Sequence, residues 1–243
     1  MPFRGQSISF GRIAAGIAAA AIVAALVNCA SIPTTGRDGT SGGIVSANTS
    51  SPTPVRARLS RMTLLAAAQG TYIDQVLLDR DSTLERWAPR RETPLHVWID
   101  TSDVLSGVQA GFPAAVRAAF KDWAGTGIPL NIEYVNAPGS ADIRVRWIDH
   151  LNHKTGSTTW RTDRSGWMLA GDITLATHIS DGQPLDARGM RAIALHETGH
   201  ALGLSHSKDP GDVMAGLVHV DGISITDRNT IRLLYSMPAG PVH

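Results

Sequence analysis

The stretch 196–206, His-Glu-Thr-Gly-His-Ala-Leu-Gly-Leu-Ser-His, restricts what this chain can fold into more than any other part of it. Three of the nine histidines fall here, spaced by four residues and then by six. Residues four apart on an α-helix share one face, with Cβ atoms about 5–6 Å apart, so His196 and His200 can reach a common point. The residues before them, 184–195, read as that helix. Asp186 is placed to cap its N-terminus, and Met190, Ile193, Ala194 and Leu195 supply much of an apolar stripe. Gly203 can adopt the left-handed conformation that ends a helix and reverses the chain. That reversal swings His206 back toward the other two rings. Three neutral imidazoles converging on one point, with a fourth position left for water, form the layout of a catalytic zinc site. Glu197, beside the first histidine, is placed to take a proton from that water.

Chance is a poor account of the pattern. From this composition His-Glu-x-x-His should arise in roughly one such chain in two hundred, and Gly203 with His206 lowers that to roughly one in fifty thousand. "HETGHALGLSH" fits every fixed position of the metzincin pattern H-E-x-x-H-x-x-G-x-x-H. Ser207, directly after the third histidine, resembles the matrixin branch of that clan. Downstream, "SKDPGDVMAG" is similar to the matrixin segment that leads to the Met-turn, which would make Met214 the methionine beneath the zinc. The resemblance implies one catalytic zinc (Zn2+) held by His196, His200 and His206, with Glu197 as general base. It also implies an α+β fold, with a twisted five-stranded mixed sheet packed on two long helices, a Met-turn and a C-terminal helix. The implied activity is that of an endopeptidase on proteins or peptides, with the substrate added as an extra strand along the sheet edge.

The element pattern agrees with that order. Leu95, Val97 and Ile99 alternate with polar or partly polar neighbours, which reads as a strand over 95–100. Phe112, Val116, Ala119, Phe120 and Trp123 recur at helical spacing and are expected in the core. Residues 130–135, 142–148, 155–162 and 171–179 read as four strands, with 155–162 the expected edge. A closing helix should bury Ile231, Leu234 and Tyr235, with Thr226 as its cap. The catalytic domain is therefore expected over 87–238.

Residues 1–86 have a different character. Arg4 and Arg12, the apolar run 13–27 and the small residues after it have the order of an export signal. The run is shorter than the ~20 residues a membrane-spanning helix needs, although a retained anchor stays open. Cys29, the single cysteine, directly follows the run, so 1–30 reads as a signal peptide or a lipoprotein signal with Cys29 acylated. Asn28 departs from the small residue usual before such a cysteine. Either reading puts the protein outside the cytoplasm, secreted or anchored to the cell envelope. Residues 31–60 are rich in Ser, Thr, Gly and Pro and read as a flexible linker. Residues 61–86 read as a helical prosegment or an N-terminal cover, with Leu64, Leu65, Ile73, Val76, Leu77 and Leu84 available for packing.

Several departures from the matrixin pattern bear on cofactors. No second cysteine exists to form a disulfide or to plug the zinc from upstream, as the propeptide of many matrixins does. Gly171-Asp172 is followed by Ile173 and Thr174, so a histidine ligand of the usual structural zinc is missing. His150, His153 and His178 read as ordinary surface or loop residues rather than a second metal site, and His219 as exposed. Calcium is unsupported, because Asp163, Asp172 and Asp181 are scattered. After Met214, Ala215-Gly216-Leu217 replaces the family's usual proline, which leaves the specificity pocket open. The net charge of +1 argues against a nucleic-acid partner. A membrane is expected only through the signal or lipid anchor, and the oligomeric state is not legible. Two rival functions fit the same metal site: a zinc amidase acting on small substrates, and a surface binding protein with a vestigial site. The intact Glu197 weighs against the second, since it contributes nothing to metal ligation.

Overall fold

The computed structural model describes residues 61–102, 110–151, 154–179 and 182–242. The expectations for the signal, Cys29 and the linker lie outside these residues, as do His153 and Asp181.

Alternate burial of Leu95, Val97 and Ile99 sets one face of a long strand, β2 (Arg90–Ile99), against the core. Two short helices and a short strand precede it: α1 (Arg61–Ala66), α2 (Ile73–Asp79) and β1 (Thr83–Leu84). The long helix α3 (Phe112–Ala124) follows and buries Phe112, Val116, Ala119, Phe120 and Trp123, the periodic set read from the sequence. Then come β3 (Leu130–Tyr134), β4 (Ile143–Ile148), β5 (Gly156–Thr162) and β6 (Met168–Ala176). The chain ends with α4 (Ala187–Ala201), α5 (Ile225–Ser236) and β7 (Gly240–Pro241), the last paired with β1.

The main sheet has the order β3-β2-β4-β6-β5. β2 runs parallel to β3 and β4, β4 runs parallel to β6, and β5 is antiparallel to β6. This is the mixed five-stranded sheet of an α+β domain, with β5 at one edge. α3 and α4 pack on each other and against strands of this sheet. Among the described residues no helix is long and apolar enough to cross a membrane.

Two local expectations are corrected. Leu65 is 43% exposed, whereas Leu64, Ile73, Val76, Leu77 and Leu84 are buried in the same core as the sheet. α1 is short and shows the core only one face, which Leu64 takes. The cap of α5 is Ser224 rather than Thr226. Ser224 Oγ accepts from the Asp227 amide at 2.9 Å, and Asp227 Oδ2 accepts from the Ser224 amide at 3.0 Å, a capping box that Thr226 has no partner to build.

Candidate metal centre

α4 starts at Asp186, whose Oδ1 accepts from the Gly189 amide at 2.7 Å. Met190, Ile193, Ala194 and Leu195 are buried, so the apolar stripe anchors the helix and fixes which way His196 and His200 face. The helix stops at Gly203, where φ is +108°. The Leu204 amide donates to Gly199 O at 3.0 Å and the Gly203 amide to His200 O at 3.0 Å, the paired bonds of a Schellman turn. A side chain at Gly203 would collide with the Glu85 carbonyl. Two remaining terminal carbonyls are met by distant side chains. Trp87 Nε1 donates to Ala201 O at 2.8 Å and the Tyr235 hydroxyl to Leu202 O at 2.9 Å.

This turn brings all three histidines together. His200 Nε2 lies 3.0 Å from His196 Nε2 and 3.2 Å from His206 Nε2. The opposite ring nitrogens face carbonyls: His196 Nδ1 to Val213 O at 2.8 Å and His200 Nδ1 to Leu204 O at 2.9 Å. A carbonyl only accepts, so both Nδ1 atoms carry the proton and both Nε2 atoms present bare lone pairs to each other. Burial pushes His196 down to about 4 and His200 well below the ordinary histidine value, and partial desolvation of the His206 ring, whose residue is otherwise exposed, lowers it as well. Neutral imidazoles with facing lone pairs and no proton between them suit a cation. The separations are close to the ~3.3 Å between donors of a tetrahedral zinc with bonds of about 2.0–2.1 Å. The donor set therefore fits the metal that the sequence implies.

Glu197 is buried next to His196. The Thr158 hydroxyl donates to Glu197 Oε2 at 2.6 Å, and Gly156 lies so close to the carboxylate that a Cβ there would collide with it. Both residues belong to β5, so the edge strand itself holds the carboxylate. Burial pushes Glu197 up to about 7, opposed by the Thr158 hydrogen bond and by the charge of Lys154.

Met214 is fully buried, and its sulfur occupies the space where a side chain on Gly199 would stand. The segment carrying it is pinned at several points. The Ser207 amide donates to Met214 O at 2.8 Å, and Ser207 Oγ to Asp212 Oδ2 at 2.5 Å. Asp227 Oδ2 accepts from the Val213 amide at 2.8 Å, while the Val213 carbonyl holds His196.

The other histidines and carboxylates behave differently. His150 and His178 stack with ring centroids 5.0 Å apart, and His178 Nδ1 lies 2.9 Å from the Thr177 hydroxyl. His219 is exposed. Asp172 pairs with Arg144 and Arg146, and Asp163 accepts two amides in the turn between β5 and β6. Among the described residues, only His196, His200 and His206 bring three such ligand atoms together. Sequence reasoning missed Thr158, Gly156, Trp87 and Arg80, whose contacts to this centre span long stretches of chain and follow no spacing rule.

The mixed sheet, the helix bearing His196 and His200, the glycine turn and the buried methionine define a metzincin fold. Comparison with known proteins narrows it. The family described as Matrixin matches residues 95–236, more than half of the chain. Human matrix metalloproteinase-19 is 37% identical over 110 residues, which are 42% of this chain and 21% of that protein. The chain belongs to the matrixin family, a family of zinc metalloproteases. It spans about a fifth of the length of the human relative.

Proposed function

We propose that the chain is a zinc-dependent endopeptidase, with His196, His200 and His206 as ligands of one zinc, Glu197 as general base and Met214 as the floor of the site. The observation that carries this reading is the pair of facing Nε2 lone pairs beside a carboxylate held by the edge strand. Zinc in such a site supplies a Lewis acid that acidifies water and polarises a carbonyl oxygen.

The chain's own groups do the rest. The outer edge of β5 offers backbone N–H and C=O groups to an extended peptide, which orients the scissile bond along the strand. Glu197 takes a proton from the attacking water as the new carbon–oxygen bond forms. It then delivers that proton to the leaving nitrogen as the carbon–nitrogen bond breaks. In the metal-free protein burial raises this carboxyl to about 7, toward the range in which one group can both take and return a proton near neutral pH. The Thr158 hydroxyl keeps one oxygen fixed, so proton transfer proceeds from a defined geometry.

Cleavage of casein or gelatin, abolished by a chelator and restored by zinc, is the expected result. Zinc binding with hydrolysis of small amides alone would replace this reading by an amidase, and zinc binding with neither activity would indicate a binding protein. The order of residues 1–30 supports export, with secretion or an envelope anchor. Fractionation of the native host should place the protein outside the cytoplasm, and Cys29→Ser should release it from membranes if Cys29 is acylated.

A further inference from the structure

Arg80 lies at the end of α2, with its side chain 4% exposed. A guanidinium so deeply placed must have its donors matched. Nη1 donates to Glu85 Oε2 at 2.5 Å, Nε to Ser205 Oγ at 3.3 Å, and Nη2 to Leu204 O at 3.2 Å. The guanidinium also stands 4.2 Å from the centroid of the Trp160 ring. The Leu204 carbonyl is the group that accepts from His200 Nδ1 at 2.9 Å. A carbonyl oxygen has two lone pairs, and here one faces the cation and the other the metal-site ring.

The other end of the network reaches the edge strand. Glu85 Oε2 accepts from Trp160 Nε1 at 2.8 Å, and Glu85 Oε1 from the Thr162 hydroxyl at 3.4 Å. Trp160 and Thr162 belong to β5, which carries Thr158 and Gly156 against Glu197. One buried arginine therefore joins the turn between His200 and His206 to the strand that holds the carboxylate.

We propose that Arg80 is a positioning residue of the metal centre, acting through the Leu204 carbonyl on the His200 ring and through residues 204–205 on the approach to His206. This rests on the zinc-site reading above. Groups that orient a ligand ring contribute about 10–100-fold to metal affinity, which sets the expected size of the effect. Arg80 touches neither substrate nor reacting atoms, and its place is in setting the ring that holds the ion.

The test uses the full chain and zinc itself, with the dissociation constant read by competition with a chromophoric chelator and the fold by circular dichroism. Arg80→Lys keeps a cation beside Glu85 but loses the second arm to Leu204. Arg80→Met combined with Glu85→Gln removes both charges, so no lone ion is left buried. Both should keep the wild-type spectrum and bind zinc about 10–100-fold more weakly. Folded arginine variants that bind zinc as tightly as wild type would overturn the role of Arg80 while leaving the zinc site standing. Loss of the fold in both would assign Arg80 to the fold alone and also overturn it. Wild-type protein that binds no zinc would overturn the zinc site itself.

Discussion

His206 and Glu197 stand in one cluster yet have separable tasks. Removing His206 takes one of three donors, and two helix-borne histidines cannot close a tridentate site, so His206→Ala should lose zinc and activity together. Glu197→Gln keeps size and leaves every ligand in place. Zinc should remain at one equivalent while proteolysis falls by about 10²–10⁴, the usual cost of a lost general base. Zinc content, peptide binding and proteolysis measured side by side decide it, and full activity in Glu197→Gln would remove this residue from the mechanism. The same variant tests the electrostatics of the zinc-free protein. Buried His196 and His200 protonate in the unfolded chain near 6.5 but resist in the fold, so their contribution is present above that value and fades as pH falls toward 4. Glu197, raised to about 7, works in the opposite sense, taking its proton in the fold first and offsetting part of the loss. Urea midpoints of chelator-treated protein should therefore fall more steeply from pH 7.5 to pH 5 in Glu197→Gln than in wild type. Equal slopes would mean that the carboxyl is not raised.

At the scale of elements, α4 and the Met-turn fit together only because Gly199 has no side chain. Gly199→Ala would drive a methyl group into Met214 and against Trp123, and overpacking of this kind costs about 1–3 kcal/mol. A midpoint unchanged in chemical denaturation would show that Met214 can move aside. The capping box of α5 does two tasks. Ser224→Ala should cost about 1–2 kcal/mol, because it loses both the cap and the hydroxyl that donates to buried Asp212 at 2.6 Å. Asp227→Ala should cost roughly 3 kcal/mol or more, because it strands the Val213 and Ser224 amides and the Tyr72 hydroxyl. Denaturation of both variants tests the ranking. These cases also mark what the sequence discloses. The histidine spacing, the apolar stripe of α4, its Asp186 cap and the turn at Gly203 were legible because each is settled within a few residues. Thr226 and Ser224 both carry hydroxyls, and only the reciprocal bond with Asp227 marks Ser224 as the cap. Thr158 and Arg80 left no trace in the sequence, since they meet Glu197 and Leu204 across 39 and 124 positions.

For the molecule as a whole, the open question is whether residues 61–86 form a removable prosegment or a permanent cover. Leu64, Ile73, Val76, Leu77 and Leu84 are each at most 1% exposed and belong to the core that also holds the sheet and α4. Burial of one such side chain is worth about 1.5–3 kcal/mol. Five of them together are comparable with the roughly 5–15 kcal/mol that holds an entire domain folded. Polar ties add to this: the Tyr72 hydroxyl donates to Asp227, and Arg80 donates to Leu204 and Ser205. A chain begun at residue 61 is therefore expected to unfold cooperatively, bind one zinc and cleave casein. A chain begun at residue 87 should lack the near-ultraviolet circular dichroism of packed tryptophans and show no cooperative thermal transition. If the shorter chain folds and cleaves faster than the longer one, residues 61–86 are a prosegment after all, and the covered core beneath them is stable without its lid.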